Sequence, residues 1–177
     1  MNTPNFTVWK TIRLGGLAIS DIGRAIRLQK ELHIGWCGGD ILPGPDFSLI
    51  EVETQVDLVK ISVRSLGFEC PTVLENLLVK ASEMGLSTCP AEVGPQLFLQ
   101  YADQPKEERL YIGMNPIRRV PDADDNDSYH IFGVEHREDE TERYYGRWLA
   151  GCNCRGVRRT CIGWHPDDVF VFVLPRK

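Results

Sequence analysis

The sequence contains no apolar run that could cross a membrane. None of its hydrophobic segments approaches the roughly 20 residues that a transmembrane helix needs. Residues 1–10 also lack the charged region followed by an apolar region that is typical of a signal peptide. We therefore expect a cytoplasmic protein with reduced cysteines and no membrane partner.

Recognisable catalytic motifs are absent as well. The sequence has no P-loop, no G-x-S-x-G, no H-E-x-x-H and no Rossmann fingerprint. Its net charge of −5 lacks the basic excess that is typical of nucleic-acid-binding domains. These absences favour a small binding or accessory domain whose partner is a protein or a small molecule. They leave open whether the protein is an enzyme.

The composition is that of one globular domain. Hydrophobic residues make up 42% of the chain and charged residues 25%, which is ordinary for such a domain. A chain of 177 residues can bury a sizeable core without disulfides. We therefore predict a single domain over 1–177, with the Cys/His segment 151–165 as a loop within it.

Helices are predicted early in the chain and strands late. One helix is expected from Ser20 or Asp21 to about Leu32, and a second is opened by a Thr72–Glu75 capping box and ended by Gly85. Strands are predicted over 6–14, 56–63, 96–101, 108–114, 129–134, 144–149 and 169–174, with 96–101 and 108–114 forming a hairpin. This order predicts an α+β fold: an antiparallel β-meander of about five to seven strands with two helices packed on one face.

The segment 151–165 holds the candidate metal ligands Cys152, Cys154, Cys161 and His165. Three thiolates and an imidazole are a structural zinc set, so zinc is the candidate cofactor. The leading C-x-C pair departs from the common C-x2-C spacing, however. A surface loop with free thiols and a redox pair therefore stay open as alternatives, and the protein then has no cofactor. Elsewhere, Cys37, Cys70 and Cys89 are expected to be small core hydrophobes.

Two further functional hypotheses come from other residues. An enzyme of unknown type could use Glu92, His130 and Glu135, because carboxylates beside histidine can perform acid–base chemistry. A nucleic-acid-binding module could instead use the arginines of the loop, Arg155, Arg158 and Arg159, although the net charge argues against it. An anion site formed by these arginines with Arg118 and Arg119 is a weaker variant of that idea.

Late aromatic residues support the binding hypothesis. Tyr and Trp supply rigid contact area for partners, and four of them cluster late in the chain: Tyr144, Tyr145, Trp148 and Trp164. All four could equally be core residues, and for Trp148, on a predicted strand, the core is the favoured interpretation. A pocket gathering Glu92, His130 and Arg118 would favour the enzyme, whereas an exposed aromatic patch would favour the binding domain.

The block CPAEVGPQLFLQY at 89–101 resembles a segment of a group of small uncharacterised proteins predicted from uncultivated bacterial genomes. The pieces VDLV at 56–59, GDIL at 39–42 and DVFVFV at 168–173 fit the same pattern, so the resemblance covers most of the chain. It implies no activity and therefore assigns no catalytic residue. Members of that group have an ordinary polar loop where this chain has Cys152 to His165, which implies that the cysteine cluster is particular to this protein.

Overall fold

The computed structural model describes residues 5–29, 32–35, 39, 41–118, 129–137, 146–153 and 163–176. In chain order the elements are β1 (Lys10–Leu14), α1 (Ile19–Arg27), β2 (Leu32–Ile34), β3 (Thr54–Ser62), a short 3-10 helix (Arg64–Leu66), α2 (Leu74–Glu83), α3 (Val93–Gln100), β4 (Arg109–Ile112), β5 (Ile117–Arg118), β6 (Tyr129–Arg137), β7 (Gly146–Asn153) and β8 (Val169–Leu174).

The strands form one curled, mixed sheet, which corrects the predicted antiparallel meander. The order is β1-β3-β8-β4-β6-β7-β2, with β5 attached to β6. Most neighbours are antiparallel, but β2 pairs with β7 in parallel, and β4 pairs with β8 in parallel. Such pairings join segments that are distant in the chain, so the order cannot follow the sequence as a meander does. The α+β class is confirmed, as an eight-stranded half-barrel with three helices among the described residues.

The helix α3 is the largest departure from the predicted secondary structure. The sequence predicts a strand over 96–101 and a hairpin with 108–114, and both are wrong. Residues 93–98 are all buried, so a helix surrounded by protein shows no amphipathic period, and a short apolar run of this kind does not distinguish helix from strand. The helix contacts β1 at one end of the sheet and β6 and β7 near the other. The sheet therefore curls around α3.

A close backbone approach fixes α3 against the sheet. A Cβ atom added to Gly94 would lie 2.5 Å from the Cβ of Phe132 on β6, a distance that real side chains do not tolerate. Phe132 is fully buried, as are Val134 and Leu149 across the same two strands. Glycine is required here because the helix and the strand pack without room for a methyl group.

Side chains of α3 take the place of a neighbouring strand along the edge of β1. The Gln100 amide donates to the Arg13 carbonyl (2.8 Å) and accepts from the Arg13 N–H (3.0 Å), as a paired residue of an adjacent strand would. Gln100 also donates to Gln96 (3.1 Å), and Gln96 donates to Glu92 (3.0 Å). These residues are four apart and so share one helix face. The ladder covers backbone groups that an edge strand would otherwise present to other chains.

The remaining predicted elements agree in position with modest shifts. The strand at 169–174 is confirmed, and the strand predicted over 56–63 is observed as β3. Helix α1 ends at Arg27, earlier than expected, because Leu32 begins the unpredicted strand β2. Helix α2 begins after Val73, so the Thr72–Glu75 capping box does not form. Gly85, with φ of 87°, provides the predicted left-handed stop.

Candidate functional site

Glu92 is a fully buried carboxylate at the start of α3, and it binds backbone. One oxygen accepts the Gly15 N–H at 2.7 Å and the other accepts the Ile50 N–H at 2.8 Å. The side-chain amide of Gln96 adds a third hydrogen bond. Burying a carboxylate is costly unless several donors replace its water. Glu92 therefore links three parts of the chain, namely the end of β1, the segment that precedes β3, and α3. Both of its oxygens are occupied by these hydrogen bonds.

His130 and Glu135 lie on opposite faces of β6. Their strand pairs continuously with β7, with His130 opposite Asn153 and Glu135 opposite Trp148, so no bulge intervenes. Alternate residues of a strand point to opposite faces. Residues five apart are therefore separated by the sheet. The structure therefore does not bring Glu135 together with His130, as the enzyme hypothesis requires.

Arg118 is engaged with the loop that contains Asp46. Its guanidinium binds both carboxylate oxygens of Asp46, at 2.7 and 2.8 Å, and its backbone N–H donates to the same group. These hydrogen bonds lower the pKa of Asp46 to about 2. The pair ties residues 41–47 to β5. Arg119 and the loop arginines, Arg155, Arg158 and Arg159, lie outside the described residues.

Most of the predicted zinc site also lies outside the described residues. Cys154 and Cys161 are not among them, and Cys152 is described only by its backbone, which belongs to β7. The segment 151–165 therefore starts within a strand. His165 is exposed, and its N–H donates to Asp168 at 2.8 Å. Within the described parts of the chain, no group of three or more metal-binding side chains occurs.

The cysteines outside this segment differ in burial. Cys89 is buried, its Sγ donates to the Val171 carbonyl at 3.3 Å, and burial raises the pKa of its thiol. This confirms the expectation that Cys89 is a small core residue. Cys70 is exposed, so the same expectation was wrong there. Cys37 lies outside the described residues.

The most distinctive surface is a row of side chains on the sheet face turned away from α3. We call it the Trp148 row: His33 on β2, Trp148 on β7, Glu135 on β6 and Arg109 on β4, with Arg137 beside them on β6. His33 pairs with Trp148, Trp148 with Glu135, and Glu135 with Arg109. Four neighbouring strands thus place one side chain each at the same level. The next residues, Leu149 and Val134, point to the α3 side and are buried.

The aromatic half of the row is a stack. The His33 and Trp148 rings lie 4.8 Å apart between centroids, with 24° between their planes. The Arg137 guanidinium lies 5.6 Å from the Trp148 ring centroid, a cation–π distance. Trp148 and His33 are half-buried rather than enclosed, so the core interpretation of Trp148 is wrong. The stack holds an indole in a defined orientation at the surface.

The charged half of the row is centred on the Glu135 carboxylate, which is 6% exposed. Arg109 Nε lies 3.0 Å from one of its oxygens, and Arg137 binds the other at 2.6 Å through both Nε and Nη2. The side chains of these arginines are 53% and 41% exposed. Two guanidinium groups therefore share one carboxylate. The charged cluster lies beside the stacked rings on the same sheet face.

A second polar cluster, around Tyr101 at the end of α3, is internally compensated. Lys60 binds Glu108 at 2.8 Å and lies 4.6 Å from the Trp9 ring centroid. Lys10 lies 4.7 Å from the Tyr101 ring centroid and binds an aspartate. Burial and the neighbouring Glu108 carboxylate raise the pKa of Tyr101. Each ammonium group here has its own carboxylate and ring, so the charges of the cluster are balanced within it.

Comparisons with known proteins give no relative. No protein-family model matches the chain, and neither the curated proteins nor the solved structures contain a significant match. Over the described ranges, none of the helices has both the length and the apolar character to traverse a bilayer. Any statement about function must therefore come from the site itself.

Proposed function

We propose that the protein is a binding domain and that its ligand or partner docks on the Trp148 row. The main support for this proposal is that a stacked Trp–His pair lies in one row with two arginines that share one buried carboxylate. Tyr, Trp and Arg dominate the binding energy of protein interfaces. Side chains that are already ordered lose less entropy on binding. A row fixed by stacking and ion pairs has both properties.

The position of the row on strands also supports binding. Side chains built on paired strands are held more precisely than side chains on loops. Each residue of the row is fixed by main-chain pairing to its neighbour, from β2 through β7 and β6 to β4. The enzyme hypothesis has no comparable support, because Glu92 binds backbone amides and His130 faces away from Glu135.

A fragment screen by NMR tests this proposal without a known ligand. A ¹⁵N-labelled protein is titrated with a library of small fragments of mixed charge and shape. Binding surfaces concentrate such fragments, so we expect shifts that cluster at the amides of His33, Glu135 and Trp148 and at the Trp148 indole N–H. Trp148→Phe identifies that indole signal and should abolish most of the hits.

A matched control distinguishes fragment binding at a specific site from fragment binding to any exposed arginine. Arg64 is an exposed arginine that binds Glu69 and Asp167, and it takes part in none of the cation–π contacts found among the described residues. Arg64→Gln should leave the hits unchanged, whereas Arg137→Gln should remove them. Hits that cluster instead around Trp9 and Tyr101, or are scattered without preference, would refute the proposal.

A further inference from the structure

Side chains of α3 cover the outer edge of β1, the last strand at its end of the sheet that the described residues form. The amide of Gln100 binds both backbone groups of Arg13. Glu92 accepts the N–H of Gly15, two residues further along the same edge. Alternate residues of an antiparallel strand direct their backbone groups to the same side. Residues 92–100, which we call the β1 cover, therefore occupy two successive positions where another strand would pair.

Gln100 is the exposed part of this cover. Its two hydrogen bonds to Arg13 lie at the surface, where water competes with them and leaves each a small net contribution. The carboxylate of Glu92, in contrast, is fully buried. A glutamine amide donates and accepts hydrogen bonds, as the peptide group of a neighbouring strand does. It therefore takes the place of a strand at the point where the edge opens most easily.

We infer that Gln100 keeps this chain monomeric and that the partner it excludes is a second copy of the chain. Uncovered backbone groups on an edge strand are a template for pairing with another chain. When the amide of Gln100 is removed from Arg13, two copies of β1 pair about a two-fold axis. Such an interface gives both copies the same contacts and closes the assembly. The inference is independent of the Trp148 row, which lies on other strands.

The charges of β1 do not by themselves prevent this pairing. Charged side chains on an edge strand commonly oppose association, and β1 carries Lys10 and Arg13. Lys10, however, binds Asp103 at 3.3 Å, and the Arg13 guanidinium lies 3.9 Å from the Glu53 carboxylate. Each cation has a carboxylate beside it, so the repulsion between two copies is reduced. The protection of the edge then rests on Gln100.

The variant Gln100→Ala tests the inference by light scattering of the full chain. Alanine favours a helix, so α3 should persist, which far-UV circular dichroism checks. We expect the unaltered protein to stay near its monomer mass of 20.1 kDa from low micromolar to near-millimolar concentration, and the variant to approach twice that mass. The matched control is Gln55→Ala, which removes the same amide from an exposed residue opposite Arg13 on β3. It should remain monomeric.

A proline at position 13 identifies the edge that pairs. The N–H of Arg13 points away from β3, toward Gln100, so Arg13→Pro preserves the β1–β3 hydrogen bonds and removes the donor at the outer edge. Added to Gln100→Ala, it should return the protein to a monomer. A dimer that survives this substitution forms through another surface and overturns the inference. The inference also fails if Gln100→Ala stays monomeric at every concentration, or if the unaltered protein is already a dimer.

Amide hydrogen exchange at Arg13 gives a second measurement. In dilute Gln100→Ala the Arg13 N–H should exchange about tenfold faster than in the unaltered protein, and it should slow again as the concentration rises and the edges pair. If Gln100 has only a local structural role, the exchange is faster at all concentrations alike, which contradicts the inference. Should the alanine variant not fold, Gln100→Met, which keeps the length and the helix propensity but lacks the amide, repeats both measurements with the same expected results.

Discussion

Two buried glutamates, Glu92 and Glu135, have partners of different kinds. Glu92 accepts hydrogen bonds from the backbone of Gly15 and Ile50, groups that are fixed by the fold. Glu135 accepts them from Arg109 and Arg137, long side chains that reach the surface. Burial is similar, yet the first carboxylate joins elements of the core and the second orders a surface. The partners of a buried charge, more than its burial, indicate what it does.

The same contrast separates the two faces of the sheet. Toward α3, the packing is so close that Gly94 has no room for a side chain. On the opposite face, the Trp148 row consists of half-buried rings and of exposed arginines that bind a buried carboxylate. Substitutions on the first face should therefore alter the free energy of unfolding, whereas those on the second should alter binding.

The largest expected effect is that of Gly94→Ala. A Cβ atom there would overlap Phe132, so α3 and β6 must separate, and we expect a loss of about 3 kcal/mol in the free energy of unfolding. Urea unfolding measures it. The matched control is Gly23→Ala in α1, where the nearest neighbour is the flexible Arg27 side chain at 3.5 Å. That variant should gain about 0.5–1 kcal/mol, since alanine favours a helix. Equal effects of both substitutions would contradict close packing of α3.

The two glutamates are compared directly by Glu92→Gln and Glu135→Gln. An amide at position 92 offers one acceptor oxygen where the carboxylate offers two, so a buried backbone N–H of Gly15 or Ile50 loses its partner. We expect a loss of about 2–4 kcal/mol in the free energy of unfolding. At position 135 the released arginines can turn to water, and the loss should stay within about 1 kcal/mol. Urea unfolding of both variants at the same pH measures the difference. If the two losses are equal, the partners do not decide the role of a buried carboxylate.

The sequence correctly predicted the elements whose structure depends on neighbouring residues alone. The strand at 169–174 alternates around Phe170 and Phe172 and ends where expected, and the stop at Gly85 requires only a left-handed residue. Helix α3 was missed because it is buried on all sides, which removes the period that distinguishes a helix. The spacing of Glu92, Gln96 and Gln100 suits one helix face, but residues four apart also share one face of a strand, so the spacing did not distinguish the two.

The candidate site could be predicted only in part. Trp148 and Glu135 were each noted as residues of interest, but their meeting depends on the register of β6 with β7. Arg109 and His33 join through β4 and β2, strands that are far away in the chain. No local pattern specifies which distant strands become neighbours, and His33 lies in a strand too short to recognise. The predicted strand ended at 134, whereas β6 continues to Arg137, so the shared face of Glu135 and Arg137 was not predicted either.

The smallest effect concerns a third carboxylate, Asp46, which is paired with an arginine at the surface. Hydrogen bonds from Arg118 lower the pKa of Asp46 from 3.8 to about 2. Because the folded-state pKa lies below the unfolded value, the pair contributes stability above about pH 4 and loses it as the pH falls toward 2. A double-mutant cycle of Asp46→Asn and Arg118→Gln, measured by thermal unfolding between pH 2 and 7, should show coupling near neutral pH that is mostly lost at pH 2. Coupling that persists unchanged to pH 2 would mean that the carboxylate charge does not contribute. The pair would then resemble Glu92, whose role depends on where its hydrogen bonds go, more than Glu135, whose role depends on charge held at a surface.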